Sequence, residues 1–150
     1  MRIDCPGHGN RNHPKLMLVG ERPGKREYET GHPFVGRAGK FLDKQLEKIG
    51  IKRADCYITN IVKSYAKGNK PPTDKEIAQY LPILRKEIDK IKPNIIVLLG
   101  KTAAKNVPPK APYTYIELPH PSAAMRFTKQ RLKFEQGMKK LKELISKSNR

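Results

Sequence analysis

The stretch Asn94–Gly100, NIIVLLG, is the most strand-like run of the chain. An uninterrupted apolar run without polar alternation is typical of a strand buried on both faces, as in a parallel sheet. Pro93 breaks the helical pattern that precedes the run, and Gly100 marks its end. This stretch therefore predicts the central strand of an α/β sheet.

Three other short apolar runs alternate with segments of helical periodicity. The further strands are predicted at Lys15–Gly20, Cys56–Val62 and Tyr113–Leu118. Helices are predicted at Ala38–Ile49, from the Thr73–Glu76 capping box to about Ile91, at Lys101–Asn106 and at Phe127–Ser148. The alternation predicts a single-domain, three-layer αβα fold with a central, mostly parallel four-stranded sheet. We expect this domain to span residues 15–150, preceded by a flexible basic N-terminal arm at residues 1–14.

The chain is strongly basic, with 32 Lys and Arg against 14 Asp and Glu and a net charge of +18. A charge excess of this size repels itself in the folded state and favours a polyanionic partner, above all a nucleic acid. A lysine-rich surface without such a partner is the alternative. No apolar run approaches the roughly 20 residues that span a bilayer. The N-terminus also lacks a hydrophobic signal core. We therefore expect a cytoplasmic protein without membrane contact.

The unusual polar residues follow the predicted strands. In parallel sheets, ligands bind outside the carboxyl ends of the strands. The corresponding segments are Gly20–Gly24, Asn60–Asn69, Gly100–Ala103 and Pro119–Arg126. These segments are therefore expected to meet at one edge of the sheet and to form the functional site.

Four motifs at this edge carry a family resemblance. They are GERPGKREYETGHPFVGRAGKFL (Gly20–Leu42), YITNIVK (Tyr57–Lys63), the Asn69-Lys70-Pro71 loop and HPSAAMR (His120–Arg126). In their order and spacing they resemble the family 4, or thermophilic, branch of the uracil-DNA glycosylase superfamily, over roughly residues 16–145. The resemblance implies a monomeric, monofunctional enzyme of base excision repair. Such an enzyme flips uracil out of DNA and hydrolyses its N-glycosidic bond.

A flipped base needs a pocket with a stacking face, hydrogen bonds to its edge and a group that stabilises the leaving base. Phe34 is expected to supply the face, and Gly20 is assigned to the same pocket. The Asn60 amide complements uracil O4 and N3–H, whereas cytosine presents the opposite pattern. His120 is expected to donate to uracil O2, where negative charge develops. Each residue also has a purely structural interpretation. Phe34 would be a core residue, Asn60 the end of a strand and His120 a surface residue.

Two carboxylates, Glu21 and Glu27, are candidates for the group that activates water, and the sequence does not decide between them. Asn69 resembles an active-site Asn of the family and is assigned a positioning role. The position of Arg22 carries a catalytic Asp in the classical uracil enzymes, and Ala or Gly in most family 4 members. Arg remains protonated and is no general base. Arg22 is expected to hold a DNA phosphate, the O2 side of uracil or one of the two glutamates.

The same motifs supply candidates for DNA contact. Met125 is expected to be the apolar wedge that fills the gap left by the flipped base. The residues expected to hold phosphates are Ser122, Arg126, Lys63, Lys70 and Lys101.

The family usually holds a 4Fe-4S cluster with four cysteines, two before the first strand, one after the YITNIVK-type lysine and one sixteen residues later. Ser64 and Tyr80 occupy the last two positions here, and the chain contains two cysteines in all, Cys5 and Cys56. A cluster needs four thiolates, so we predict no iron–sulfur cluster and no metal. An apolar patch around Tyr80 is expected instead, and a zinc site at Cys5 is the alternative.

Two other functions are compatible with the motifs. Arg22 could have displaced the chemistry, which would leave a catalytically weak or inactive DNA-binding relative. The chain could also be a glycosylase that prefers another deaminated base, hypoxanthine or xanthine.

Overall fold

The computed structural model describes residues 1–148, which form one five-stranded sheet covered by helices on both faces. The strands are β1 (His8–Gly9), β2 (Leu16–Gly20), β3 (Tyr57–Asn60), β4 (Ile95–Leu99) and β5 (Thr114–Leu118). The helices are α1 (Lys25–Thr30), α2 (Arg37–Lys48), α3 (Asp74–Ile91), α4 (Lys101–Asn106), α5 (Pro121–Arg126) and α6 (Thr128–Ser148), with a 3-10 turn at Arg53–Asp55. The predicted three-layer α/β fold is confirmed, with one strand more than expected.

The sheet has the order β1-β3-β2-β4-β5. The pairs β3–β2, β2–β4 and β4–β5 are parallel, and only β1 pairs antiparallel among the described strands. Every residue of β4 is at most 3% exposed, because helices cover both faces of this strand. The apolar run at residues 95–99 therefore forms an interior strand of the sheet, as its composition predicts.

Two apolar cores lie on opposite faces of the sheet. One contains Leu16, Leu18 and Val97 with the apolar sides of α2, α5 and α6. The other contains Met17 and Val19 with the apolar side of α3 and α4. Successive residues of β2 thus point to opposite cores, as the two-residue period of a strand requires. No helix within residues 1–148 has both the length and the apolar character needed to cross a bilayer.

The structure corrects the prediction of a flexible arm at residues 1–14. β1 pairs with β3 through His8 and Ile58. The backbone N–H groups of Asp4 and Cys5 both donate to the carbonyl of Lys63, at 3.0 Å each. Cys5 is 1% exposed. The segment has no hydrophobic period because it is held mainly through its backbone, which side-chain patterning does not report.

Two six-residue helices lie in segments for which neither a helix nor a strand was predicted. α1 follows Gly24 and is closed by a capping box formed with Glu27. α5 begins after His120, whose side chain accepts from the backbone N–H of Ser122. A helix of fewer than two turns shows little hydrophobic periodicity, and in these two segments the pattern did not reveal it. The predicted capping box of α3, Thr73 with Glu76, is confirmed.

Candidate active site

Three predicted pocket residues meet where β2 and β3 end. Gly20 and Asn60 are paired in the sheet register. A methyl group on Gly20 would lie 2.5 Å from Oδ1 of Asn60 and 2.6 Å from Cζ of Phe34. Phe34 is 7% exposed and Asn60 is 3% exposed. Glycine is thus required at position 20, because any side chain would separate the ring from the amide.

The loop that carries Phe34 is held in a strained conformation. Phe34 has φ +51°, in the left-handed region that larger side chains rarely adopt. Its carbonyl oxygen would lie 1.7 Å from a methyl group on Gly39 of α2, so the close approach requires glycine there. Strain of this kind persists only where surrounding contacts over-determine it, and it is often found at functional sites.

Glu27 supplies those contacts. Its Oε2 accepts from the N–H groups of Val35 and Gly36 at 2.9 Å each, and its Oε1 accepts from Gly24 N–H at 3.0 Å. Three backbone donors hold this carboxylate within the turn beside Phe34. The structure therefore corrects the assignment of Glu27 as a water-activating group and gives it the role of building the pocket loop.

The second carboxylate, Glu21, lies in an open cleft of about 720 Å³. The cleft is also lined by Gly100, Lys101, Thr102, His120 and Phe127. The Thr102 hydroxyl donates to Oε2 of Glu21 at 2.6 Å. Sequence reasoning missed Thr102, although it lies in the strand-end segment Gly100–Ala103 that was expected at this edge. Glu21 is thus the predicted carboxylate that remains available to a bound molecule.

The imidazole of His120 has a defined tautomer. Its Nδ1 accepts from the backbone N–H of Ser122 at 3.1 Å and lies 2.8 Å from the Ser122 hydroxyl. A backbone N–H can only donate, so the proton of the neutral ring must be on Nε2. Within residues 1–148, no group forms a hydrogen bond with Nε2 of His120. Burial lowers the pKa of His120, and the Glu21 carboxylate partly opposes that shift.

The two halves of the site are in contact. The rings of Phe34 and His120 have centroids 5.7 Å apart. A methyl group on Gly100 would lie 3.0 Å from Cβ of His120, so this glycine makes room for the histidine. One edge of the sheet therefore presents an aromatic ring, an amide, a neutral N–H donor and a carboxylate. Together these groups can bind a planar heterocycle, stabilise charge that develops on it and orient water.

The partners of Arg22 differ from those predicted. Its guanidinium forms an ion pair with Glu76 of α3 (Nη2–Oε2 2.9 Å) and donates to the carbonyls of Ser64 (3.0 Å) and Lys70 (3.2 Å). The side chain is 6% exposed. The expected partners, a phosphate, uracil or a glutamate of its own motif, are therefore wrong. Arg22 ties the loop after β3 to α3, and it lowers the pKa of Glu76.

Lys63 is also not a phosphate ligand, because its side chain is only 2% exposed. Its Nζ lies 2.5 Å from Oε1 of Glu87 and 2.7 Å from Oγ1 of Thr59, and it also donates to the backbone carbonyl of Asn60. Tyr57 donates to the same Glu87 carboxylate at 2.7 Å. Burial lowers the pKa of Lys63, and Glu87 opposes that shift. The prediction of Lys63 at the DNA surface is wrong, and the lysine is instead buried against the backbone of Asn60.

The remaining predicted DNA contacts lie at the surface. Those with exposed side chains are Lys70, Lys101, Ser122 and Arg126. Asn69, which was assigned a positioning role in the active site, is also exposed. Met125, the predicted wedge, is partly buried. Phe127, which sequence reasoning did not select, is 55% exposed beside the cleft. Its position after a short helix that was not predicted explains the omission.

The donor set does not fit a four-thiolate cluster. Burial raises the pKa of Cys5 to about 11 and that of Cys56 to about 12, so both thiols are protonated near neutral pH. Cys56 packs within the apolar core beneath α2. Tyr80 is 4% exposed, and its hydroxyl donates to the carbonyl of Arg2. Residues 1–148 contain no group of three or more His, Cys, Asp or Glu side chains arranged to hold a metal.

Comparison of the sequence with known proteins identifies relatives of this chain. The chain is 43% identical to the type-4 uracil-DNA glycosylase of Archaeoglobus fulgidus over 100 residues, which are 67% of this chain and 50% of the relative. It is 43% identical to the Thermotoga maritima protein of that name over 108 residues (66% and 56%). The Pyrobaculum aerophilum protein of that name is 43% identical over 90 residues (60% and 46%).

The chain spans about half the length of these curated relatives. A family model for the uracil DNA glycosylase superfamily matches residues 6–143 and includes every site residue described above. The chain belongs to the uracil DNA glycosylase superfamily.

Proposed function

We propose that this protein is a monofunctional uracil-DNA glycosylase that acts as a monomer in base excision repair. The observation that carries the proposal is the meeting of Phe34, Asn60 and His120 at one sheet edge, with the Phe34 and His120 rings 5.7 Å apart. The relatives that are 43% identical are named for the same activity. The substrate is DNA that contains uracil, in keeping with the net charge of +18.

Recognition of the base rests on Asn60 and Phe34. The flipped uracil stacks on the Phe34 ring, while the Asn60 amide donates to O4 and accepts from N3–H. Cytosine carries an amino group in place of O4 and an unprotonated N3, so it would leave both amide groups without partners. An unsatisfied buried polar group costs about 1–3 kcal/mol, which is enough to exclude cytosine from the pocket. Gly20 keeps the ring and the amide adjacent.

The reaction breaks the bond between C1′ of the sugar and N1 of uracil, and the bonding electrons go to the base. His120 donates from Nε2–H to O2, where the negative charge develops. This donor is neutral because burial lowers the pKa of His120. Glu21 then orients and deprotonates the water that adds to C1′, with its carboxylate held by Thr102. Such hydrogen bonds accelerate the reaction because they strengthen in the transition state.

The surrounding surface holds the opened DNA. Lys70, Lys101 and Arg126 have exposed side chains suited to neighbouring phosphates. We assign the wedge to Met125, with Phe127 as a second apolar side chain at the cleft. Asn69 lies in the loop that Arg22 anchors, where it positions the backbone or a water.

A panel of oligonucleotides tests this function. Each strand carries one uracil, hypoxanthine, xanthine or mispaired thymine, and the readout is an alkali-labile abasic site together with chromatography of the released base. We expect release of uracil and retention of thymine. Release of a purine base instead would overturn the substrate assignment. DNA binding without release of any base would identify an inactive relative and overturn the proposal. Asn60→Ala serves as the matched inactive control.

A further inference from the structure

A stacked pair of tyrosines lies outside the active-site cleft, on the β3 side of the same sheet edge. The rings of Tyr28 in α1 and Tyr65 in the loop after β3 have centroids 5.0 Å apart and are inclined by 24°. Tyr28 is 50% exposed, which leaves much of its ring open to solvent. The pair has no part in the reaction proposed above.

The pair is held rigidly from both sides. The backbone N–H of Tyr65 donates to Oδ2 of Asp4 at 2.9 Å, and its carbonyl accepts from Nη2 of Arg2 at 2.5 Å. The helix that carries Tyr28 is fixed at its start by Glu27. An aromatic ring that is already ordered loses little entropy when a ligand stacks on it.

Four cations lie near the pair, together with the carboxylate of Asp4, which pairs with Arg2, and the exposed Glu29. Lys25 lies one helical turn before Tyr28, and residues three apart on a helix are neighbours. Arg2 has 64% of its side chain exposed and bonds directly to Tyr65. Arg26 and Lys67 are exposed, and each lies two residues from one of the tyrosines in the sequence. A ring with an open face, bordered by cations, matches a nucleobase between two phosphates.

We propose that the Tyr28–Tyr65 pair binds an unpaired nucleobase of the DNA strand that flanks the flipped nucleotide. The base stacks on Tyr28, and the neighbouring cations hold its phosphates. Within a duplex both faces of a base are covered by adjacent base pairs, so the bound base belongs to a single-stranded segment. The inference rests on the proposed function for the identity of the strand, and it predicts a preference for uracil in single-stranded DNA.

Binding of a thymine-only single strand tests the site without depending on base release. We expect Tyr28→Ala to raise the Kd about tenfold, a size expected for the loss of one base–aromatic stack. Tyr28→Phe, which keeps the ring, should bind as the wild type does. The slope of log Kd against log salt should be unchanged in Tyr28→Ala, since no cation is removed, and shallower in Lys25→Gln. The chain has no Trp and six Tyr, so a change in tyrosine emission that the thymine strand causes in wild type and not in Tyr28→Ala reports stacking on this ring.

A strand in which abasic sites replace the bases completes a double-mutant cycle. On this strand Tyr28→Ala and wild type should bind equally, because there is no base to stack. The inference is overturned if Tyr28→Ala binds the thymine strand as tightly as wild type does. It is also overturned if Tyr28→Ala loses as much affinity for the abasic strand as for the thymine strand. Because no uracil is present, failure of this site is distinguishable from failure of the proposed glycosylase activity.

Discussion

The hydroxyl of Thr102 donates a 2.6 Å hydrogen bond to the carboxylate of Glu21. The two residues come from different strand ends, Glu21 from the end of β2 and Thr102 from the first turn of α4 after β4. The bond fixes one carboxylate oxygen and leaves the group facing the cleft shared with His120. Thr102 is thus a positioning residue for the proposed base.

Thr102→Val removes this bond and keeps the volume of the side chain. We expect kcat for uracil release to fall about tenfold, as for the loss of one hydrogen bond to a charged group, with KM little changed. Thr102→Ser, which keeps the hydroxyl, should restore most of the rate. Steady-state kinetics of the two variants check this expectation. Equal rates for Thr102→Val and wild type would remove Thr102 from the mechanism.

His120 caps α5, and we propose a second, separable role for it as the donor in the cleft. His120→Asn keeps a good capping group and loses the Nε2 donor, whereas His120→Ala loses both. Both variants should lose roughly 10²–10³-fold in kcat, the range for one transition-state donor. Only His120→Ala should also lose about 1 kcal/mol of unfolding free energy. Single-turnover rates and urea unfolding distinguish the two roles, and an active His120→Asn would contradict the donor assignment.

The lowered pKa of His120 sets the direction of its pH dependence. Because burial depresses the pKa of the folded state below the ordinary 6.5, the unfolded chain binds the proton first as the pH falls. The contribution of His120 to stability is therefore complete above 6.5 and is lost as the pH falls through the pKa of the folded state. In urea unfolding between about pH 5 and about pH 8, wild type should lose stability relative to His120→Asn as the pH falls. A wild type that gains stability relative to His120→Asn toward low pH would contradict the lowered pKa.

The buried ammonium of Lys63 donates to the backbone carbonyl of Asn60 and lies 2.5 Å from Glu87. Lys63→Met alone leaves that carboxylate unpaired and should cost about 3–5 kcal/mol of stability. The double variant Lys63→Met with Glu87→Gln removes both charges and should fold. Per folded molecule, its kcat/KM for uracil should still fall about tenfold, because the backbone carbonyl of Asn60 loses the charge-assisted hydrogen bond that holds this residue in place.

Lys86→Met, at an exposed position of α3, the helix that carries Glu87, is the control for the loss of one lysine. Thermal unfolding gives the folded fraction, and steady-state kinetics give kcat/KM. If the double variant keeps the wild-type kcat/KM, Lys63 supports the fold and does not position Asn60.

The sheet could be predicted from the sequence because buried parallel strands consist of apolar residues alone, as Ile95–Leu99 shows. Phe34, Asn60 and His120 were selected through motifs that resemble the family, and the structure places all three at one edge of the sheet because the carboxyl ends of parallel strands meet there. The partners of Arg22 and Lys63 were missed because Glu76 and Glu87 lie on α3, distant in sequence. A lysine in a sequence indicates a charge, and only the packing decides whether that charge is buried.

The most direct measurement is the single-turnover rate of uracil release from an oligonucleotide with one uracil. The wild type, Asn60→Ala and His120→Asn are compared at equal concentrations of folded protein. We predict rapid release by the wild type and a loss of roughly 10²-fold or more in each variant. Release that is unaffected by both substitutions, or no release by the wild type, would contradict the proposed active site.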